Sequence, residues 1–114
     1  MLNTLIELDN AAAILKLLGD KTRLSMMKIL DGETCCVCEF VEMFQMSQPA
    51  VSQHLRKLKD MGLVQEEKKG QWVYYSIRKS NEYYPFVKQI LDQLPAQNEK
   101  LHEMKRLSIG NSCC

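Results

Sequence analysis

The chain has 114 residues, 46% of them hydrophobic and 25% charged, a balance that fits one globular domain and excludes wholesale disorder or several independent cores. No apolar run reaches the roughly 18 residues of a membrane helix, and residues 1–10 are acidic where a secretory leader would be basic, so a cytoplasmic protein with no membrane partner is expected. The net charge of +1 conceals a division: residues 1–46 hold four basic against seven acidic side chains, residues 47–88 hold eight against four, and the remainder balances. The middle of the chain is therefore the candidate surface for a polyanion.

In chain order, Leu8, Ala11, Ala12, Leu15 and Leu18 recur at helical spacing, and Gly19-Asp20 closes that helix. Thr22 is placed to cap a second helix through Leu30, with Leu24, Met27 and Leu30 on one stripe. A third begins near Cys36 and runs to about Phe44, its inward positions being Val37, Phe40, Val41 and Phe44. Gln45-Met46 makes a tight connection. Ser47 then stands as N-cap, with Pro49 in the first turn of a fourth helix that extends to about Met61. Val51, Leu55 and Leu58 point inward on it, leaving Gln53, Arg56, Lys57 and Asp60 opposite. Two short helices joined by a turn, the second with a small polar start and a basic outer face, predict a helix-turn-helix.

After Gly62 the period changes. The segments 63–67 and 72–77 are rich in β-formers, and Lys68-Lys69-Gly70-Gln71 separates them, which predicts a hairpin with a basic tip, a wing beside the reading helix. Pro85 suits the start of a fifth helix over 86–94 carrying Phe86, Ile90, Leu91 and Leu94; 97–107 can form a further polar helix before a loose tail. The expected fold is mainly α with a small β-hairpin, a winged helix-turn-helix. Its first and last helices carry more apolar surface than so small a core can bury, which assigns them to a homodimer interface. Residues 1–95 form the DNA-binding and dimerisation domain, and 96–114 an extension ending in a cysteine pair.

For reading double-stranded DNA, Gln48 and Gln53 can pair with adenine edges, and Ser47 and Ser52 can bond to base or phosphate. Arg56 and Lys57 on the helix, with Lys68, Lys69 and Gln71 at the hairpin tip, suit the phosphate backbone. His54 falls near the inward face and is assigned to packing, as are the methionines.

The five cysteines are too few and odd in number for a disulfide scaffold, so reduced thiols are expected. Cys35, Cys36 and Cys38 crowd together, while Cys113 and Cys114 end the sequence. Cys36 occupies the N-cap position with Glu39 three residues on, as in a capping box. A helix N-terminus favours thiolate, the form that binds soft metals and metalloids. On a regular helix residues i and i+2 lie about 200° apart, so holding one ion between Cys36 and Cys38 is expected to unwind the first turn and shift the fourth helix packed beyond it.

The stretches Gly19-Asp20-Lys21-Thr22-Arg23, Cys36-Val37-Cys38-Glu39, Ser47-Gln48-Pro49-Ala50-Val51-Ser52-Gln53-His54-Leu55 and Gly70-Gln71-Trp72-Val73-Tyr74-Tyr75 together resemble the ArsR/SmtB family of metal-sensing repressors. The resemblance implies a dimeric winged helix that occupies its operator when metal-free and leaves when metal binds. Cys36 to Glu39 resembles the CVCD motif of the arsenical-resistance repressors and of the related cadmium and lead sensors. Two departures stand out. The position of those repressors' third cysteine, one turn beyond, is Val41, and the family's last-helix zinc site is incomplete, with only His102 and Glu103 following Asp92.

Arsenite and antimonite favour three thiolates, whereas cadmium, lead and zinc accept three or four ligands of mixed type. Cys35 is the nearest third ligand, at i, i+3 from Cys38, with Cys113 and Cys114 as auxiliaries or alternatives. The expected function is a repressor released by arsenite or antimonite. The alternatives are the same fold answering to cadmium, lead or zinc, and a thiol redox switch. No triad, carboxylate pair or phosphate-binding loop argues for an enzyme or for a small organic substrate.

Overall fold

The computed structural model describes residues 5–97. Its elements are α1 (Leu8–Leu18), α2 (Lys21–Leu30), β1 (Cys35–Cys36), α3 (Val37–Phe44), α4 (Gln48–Asp60), β2 (Val64–Lys69), β3 (Trp72–Ile77) and α5 (Tyr84–Leu91). The winged helix-turn-helix is present: α3 and α4 pack together, and the β2–β3 hairpin follows α4.

Local chemistry sets the helix ends. Asp20, rather than Thr22, caps α2: its Oδ1 accepts the Arg23 N–H at 3.1 Å, an ionised acceptor at the positive end of the helix, while Thr22 lies inside it. Ser47 caps α4 by accepting the Ala50 N–H at 3.3 Å. Between α3 and α4 the chain turns through Gln45, which sits in the left-handed region at φ 54°. The end of α4 is a Schellman motif, in which Gly62 N–H donates to the Lys59 carbonyl at 2.8 Å and Leu63 N–H to the Leu58 carbonyl at 3.0 Å. Gly62 has φ +80°, and a Cβ there would come within 2.4 Å of the Asn81 side-chain nitrogen, which donates to the Gly62 carbonyl.

Val51, Leu55 and Leu58 of α4 are fully buried, as their spacing requires, with Phe40 and Met43 of α3, Met26 and Met27 of α2, and Val87 and Leu91 of α5 around them. Helix α1 departs from its expected stripe. Ile14 and Leu18 face the core, whereas Leu8 is 84% and Leu15 51% exposed, together with Leu5 before the helix. Helix α5 is shorter than expected at its far end and is fastened to α2 by ions. The Lys88 ammonium donates to both Asp31 oxygens at 2.9 and 3.1 Å and lies 3.0 Å from Asp92, which raises its pKa. Lys28 also donates to the Leu91 carbonyl at 2.9 Å.

The sheet has a third strand that the sequence pattern does not announce. Its order is β1-β3-β2, all antiparallel, with Cys35 opposite Tyr75 and Cys36 opposite Tyr74. The hairpin turn is also tighter than expected. Lys68 and Lys69 belong to β2, opposite Val73 and Trp72, leaving Gly70-Gln71 as the turn, with Gly70 at φ +64°. Among the described residues no helix is long and apolar enough to cross a membrane. The expected helix beyond residue 97 lies outside the described residues.

Candidate thiol site and nucleic-acid interface

Cys36 is both the last residue of β1 and the N-cap of α3, with φ −92° and ψ 164°. Because that residue is extended rather than helical, the 200° separation of a regular helix does not apply. The Cys36 and Cys38 sulfurs lie 2.7 Å apart on one side of the chain with α3 intact, Cys36 as a free thiol and Cys38 disulfide-bonded, which departs at Cys38 from the expected reduced thiols. The expected unwinding is not needed to bring them together. Glu39 completes the capping box by accepting the Cys36 N–H at 2.9 Å.

The protonation expectation is reversed. Burial pushes the Cys36 thiol above its ordinary range; the Glu39 N–H donated toward sulfur pulls it down, and the Glu39 carboxylate pushes it up again. Burial thus opposes the thiolate that the helix terminus favours.

Cys35 is fully buried and belongs to the contiguous apolar core, as expected for a neighbour along a strand, whose side chain points to the opposite face. This removes the geometric basis for pairing it with Cys38, since the i, i+3 argument assumed a helix where the chain is a strand. Among the described residues no group of three or more His, Cys, Asp or Glu side chains is arranged to hold a metal ion. Cys113, Cys114, His102 and Glu103 lie outside the described residues. Asp92, the remnant of the last-helix site, is engaged by Lys88. With Cys38 reduced, the two sulfurs suit a thiophilic guest, and a third donor has to be added to them.

The surface expected to meet nucleic acid lies on α4. Ser47, Gln48, Gln53, Arg56 and Lys57 are exposed, and Ser52 is half-buried. Ser52, Gln53 and Arg56 border a cleft of about 510 Å³ between α4 and the hairpin, closed on its other sides by Lys59, Asp60, Glu66 and Tyr75. Lys68, Lys69 and Gln71 are exposed on the hairpin, with Lys69 Nζ 5.6 Å above the Tyr74 ring and 3.9 Å from Glu67. His54 receives an Arg23 guanidinium hydrogen bond at 3.1 Å, and Arg23 Nε donates to the Leu17 carbonyl at 2.7 Å. That network ties α4 to α2 and, through the Leu17 carbonyl, to α1.

Sequence reasoning missed the floor of the cleft. Tyr75 donates to Glu66 Oε2 at 2.8 Å, and Lys59 is ion-paired with Glu66 Oε1. Burial, followed by the Glu66 bond and charge, pushes the Tyr75 hydroxyl up to about 12. The hydrogen bond from Lys59, then that from Tyr75, holds the Glu66 carboxyl below its ordinary range. A Tyr and a Glu in adjoining strands give no signal until the register is known.

Residues 20–66 match the family model described as bacterial regulatory protein, arsR family. The chain is 33% identical over 103 residues to the arsenical resistance operon repressor of Escherichia coli, covering 88% of this chain and 86% of that protein. The chain belongs to the arsR family of bacterial regulatory proteins. It is a transcriptional regulator, not an enzyme. It is also 41% identical over 66 residues to the arsenic resistance transcriptional regulator ArsR1 of Pseudomonas putida, which is 56% of this chain and 51% of that protein. To the cadmium resistance regulatory protein CadC homolog of Staphylococcus aureus it is 33% identical, covering 89% of this chain and 76% of that one. Among solved structures, HlyU from Vibrio cholerae superposes with a TM-score of 0.66 at 29% identity, covering 77% of this chain and 97% of that one.

Proposed function

We propose that this protein is a metalloregulatory repressor that holds operator DNA in its ligand-free state and is released when trivalent arsenic or antimony binds Cys36 and Cys38. The observation that carries the reading is the 2.7 Å approach of the two sulfurs at the junction of β1 and α3, directly before the helix-turn-helix. Cys113 and Cys114 supply the third sulfur in this reading, because Cys35 is committed to the core. DNA is held by Ser47, Gln48, Ser52, Gln53, Arg56 and Lys57 on α4 and by Lys68, Lys69 and Gln71 on the wing. The apolar side chains of Leu5, Leu8 and Leu15 are covered by a second copy, α1 and α5 forming the homodimer.

Gel-shift titration with arsenite tests the reading. Release from DNA at low micromolar arsenite, lost in Cys36→Ser, is expected; retention of the complex overturns it. Resemblance to a cadmium-resistance regulator supports a second reading in which cadmium, lead or zinc is the inducer, and release by cadmium but not arsenite would select it. The sulfur approach is also suited to oxidation of the pair to a disulfide by peroxide, and release by peroxide under metal-free conditions would select that switch.

A further inference from the structure

In an antiparallel sheet, residues directly opposite one another share a face. Cys35 of β1, Tyr75 of β3 and Glu66 of β2 therefore form a single row across the sheet. The row continues off the sheet edge, from the Tyr75 hydroxyl to one Glu66 oxygen and from the other Glu66 oxygen to Lys59 of α4. Arg56, one turn back on α4, acts electrostatically on Tyr75 and borders the same cleft. Backbone pairing thus joins the strand ending in Cys36 to the strand carrying Tyr75, and a carboxylate clamp joins that strand to the DNA-reading helix.

We propose that Tyr75 is a positioning residue that couples the Cys36 strand to the cleft between α4 and the wing, through Glu66 and Lys59. A displacement of Cys36 moves β1, β1 carries β3 by its ladder, and the Tyr75 hydroxyl transfers the shift to α4 through Glu66. This path is distinct from direct packing of α3 on α4. It rests on the functional reading above for the identity of the ligand at Cys36, but not for the mechanical link itself.

Coupling between two sites is reciprocal in binding free energy, so DNA bound at the cleft must also act on the thiol pair, and alkylation rates report that action without having to match its factor. The test uses the full chain under reducing conditions and a duplex of about 30 base pairs selected by the metal-free protein from a random pool. Two quantities are measured for wild type, Tyr75→Phe and Glu66→Gln. One is the ratio of duplex Kd with and without arsenite; the other is the ratio of Cys36 and Cys38 alkylation rates by iodoacetamide with and without duplex. Couplings of this kind run from about 5- to 150-fold, and both variants are expected to bring the ratios most of the way to one while arsenite-sulfur absorbance is retained. Tyr75→Phe keeps the ring and the strand ladder, and Glu66→Gln breaks the clamp from the other side should the first variant fold poorly. Wild-type ratios in both variants overturn the proposal. Duplex-dependent alkylation in wild type that is lost in the variants, with no arsenite response anywhere, supports the coupling and overturns arsenite as the ligand. Alkylation rates in wild type indifferent to duplex overturn the coupling.

Discussion

On one face of the small sheet Cys35, Tyr75 and Glu66 line up between the core and α4; on the other, Cys36, Tyr74 and Glu67 line up toward the thiol pair and the wing tip. The two rows are one residue out of phase, and that single step separates a packing cysteine from the one proposed to bind the inducer. Residue type says nothing about the difference. Strand parity decides it, with Cys35 inside the apolar cluster and Cys36 turned toward Cys38.

Exchanging the two cysteines gives the sharpest break. Cys36→Ser is expected to abolish the arsenite effect on DNA affinity, a loss of up to about 100-fold in the coupling ratio, with little change in melting temperature. Cys35→Ser should do the reverse, placing a hydroxyl in an apolar core at a cost of about 1–3 kcal/mol in chemical denaturation while leaving arsenite release intact. An arsenite response lost in Cys35→Ser at unchanged stability would return that residue to the ligand set.

Next in size is the hinge between α4 and the sheet. Gly62→Ala forces a side chain into a left-handed residue and against Asn81, and a loss of about 1–3 kcal/mol in urea midpoint experiments is expected. The same substitution at Gly70, where a Cβ meets nothing within 4 Å, carries only the backbone strain and should cost less.

Protonation distinguishes the two classes of inducer. Cys36 is raised by burial, so it is a thiol at neutral pH, and a divalent cation must displace its proton. Cadmium affinity is therefore expected to rise with pH and to release protons in unbuffered calorimetry. Arsenous acid loses a hydroxide that takes the thiol proton away as water, and its affinity should be flat across neutral pH. Smaller again is the acid limb of Glu66. Its folded pKa is lowered, so its contribution to stability is present above the ordinary carboxylate range and fades as pH falls through the lowered value. Wild type and Glu66→Gln should converge in stability at acid pH, and a gap that persists there would remove the clamp from the account.

Much of the architecture was legible because it is local. Val51, Leu55 and Leu58 repeat at helical spacing, Ser47 and Pro49 mark a helix start, and Gly70 marks a turn. The site was legible only in part. A two-residue strand falls below any periodicity, and β1 exists because Cys35 and Cys36 find Tyr75 and Tyr74 about 40 residues away, a pairing typical of non-local sheet contacts. The capping position of Cys36 is visible in sequence, whereas the burial that opposes its ionisation is not. Lys59, Glu66 and Tyr75 escaped notice because their meeting depends on hairpin register.

The junction at Cys36 has a mechanical consequence. One residue is shared by a strand anchored in the sheet and a helix of eight residues, about 12 Å long at 1.5 Å per residue. Such a helix behaves as a lever with its fulcrum at Cys36, and a tilt of about 10° at that end swings the far end by about 2 Å. The reading helix starts only a few residues past that far end, so a small guest can produce, without melting any structure, a misfit comparable to a hydrogen-bond length.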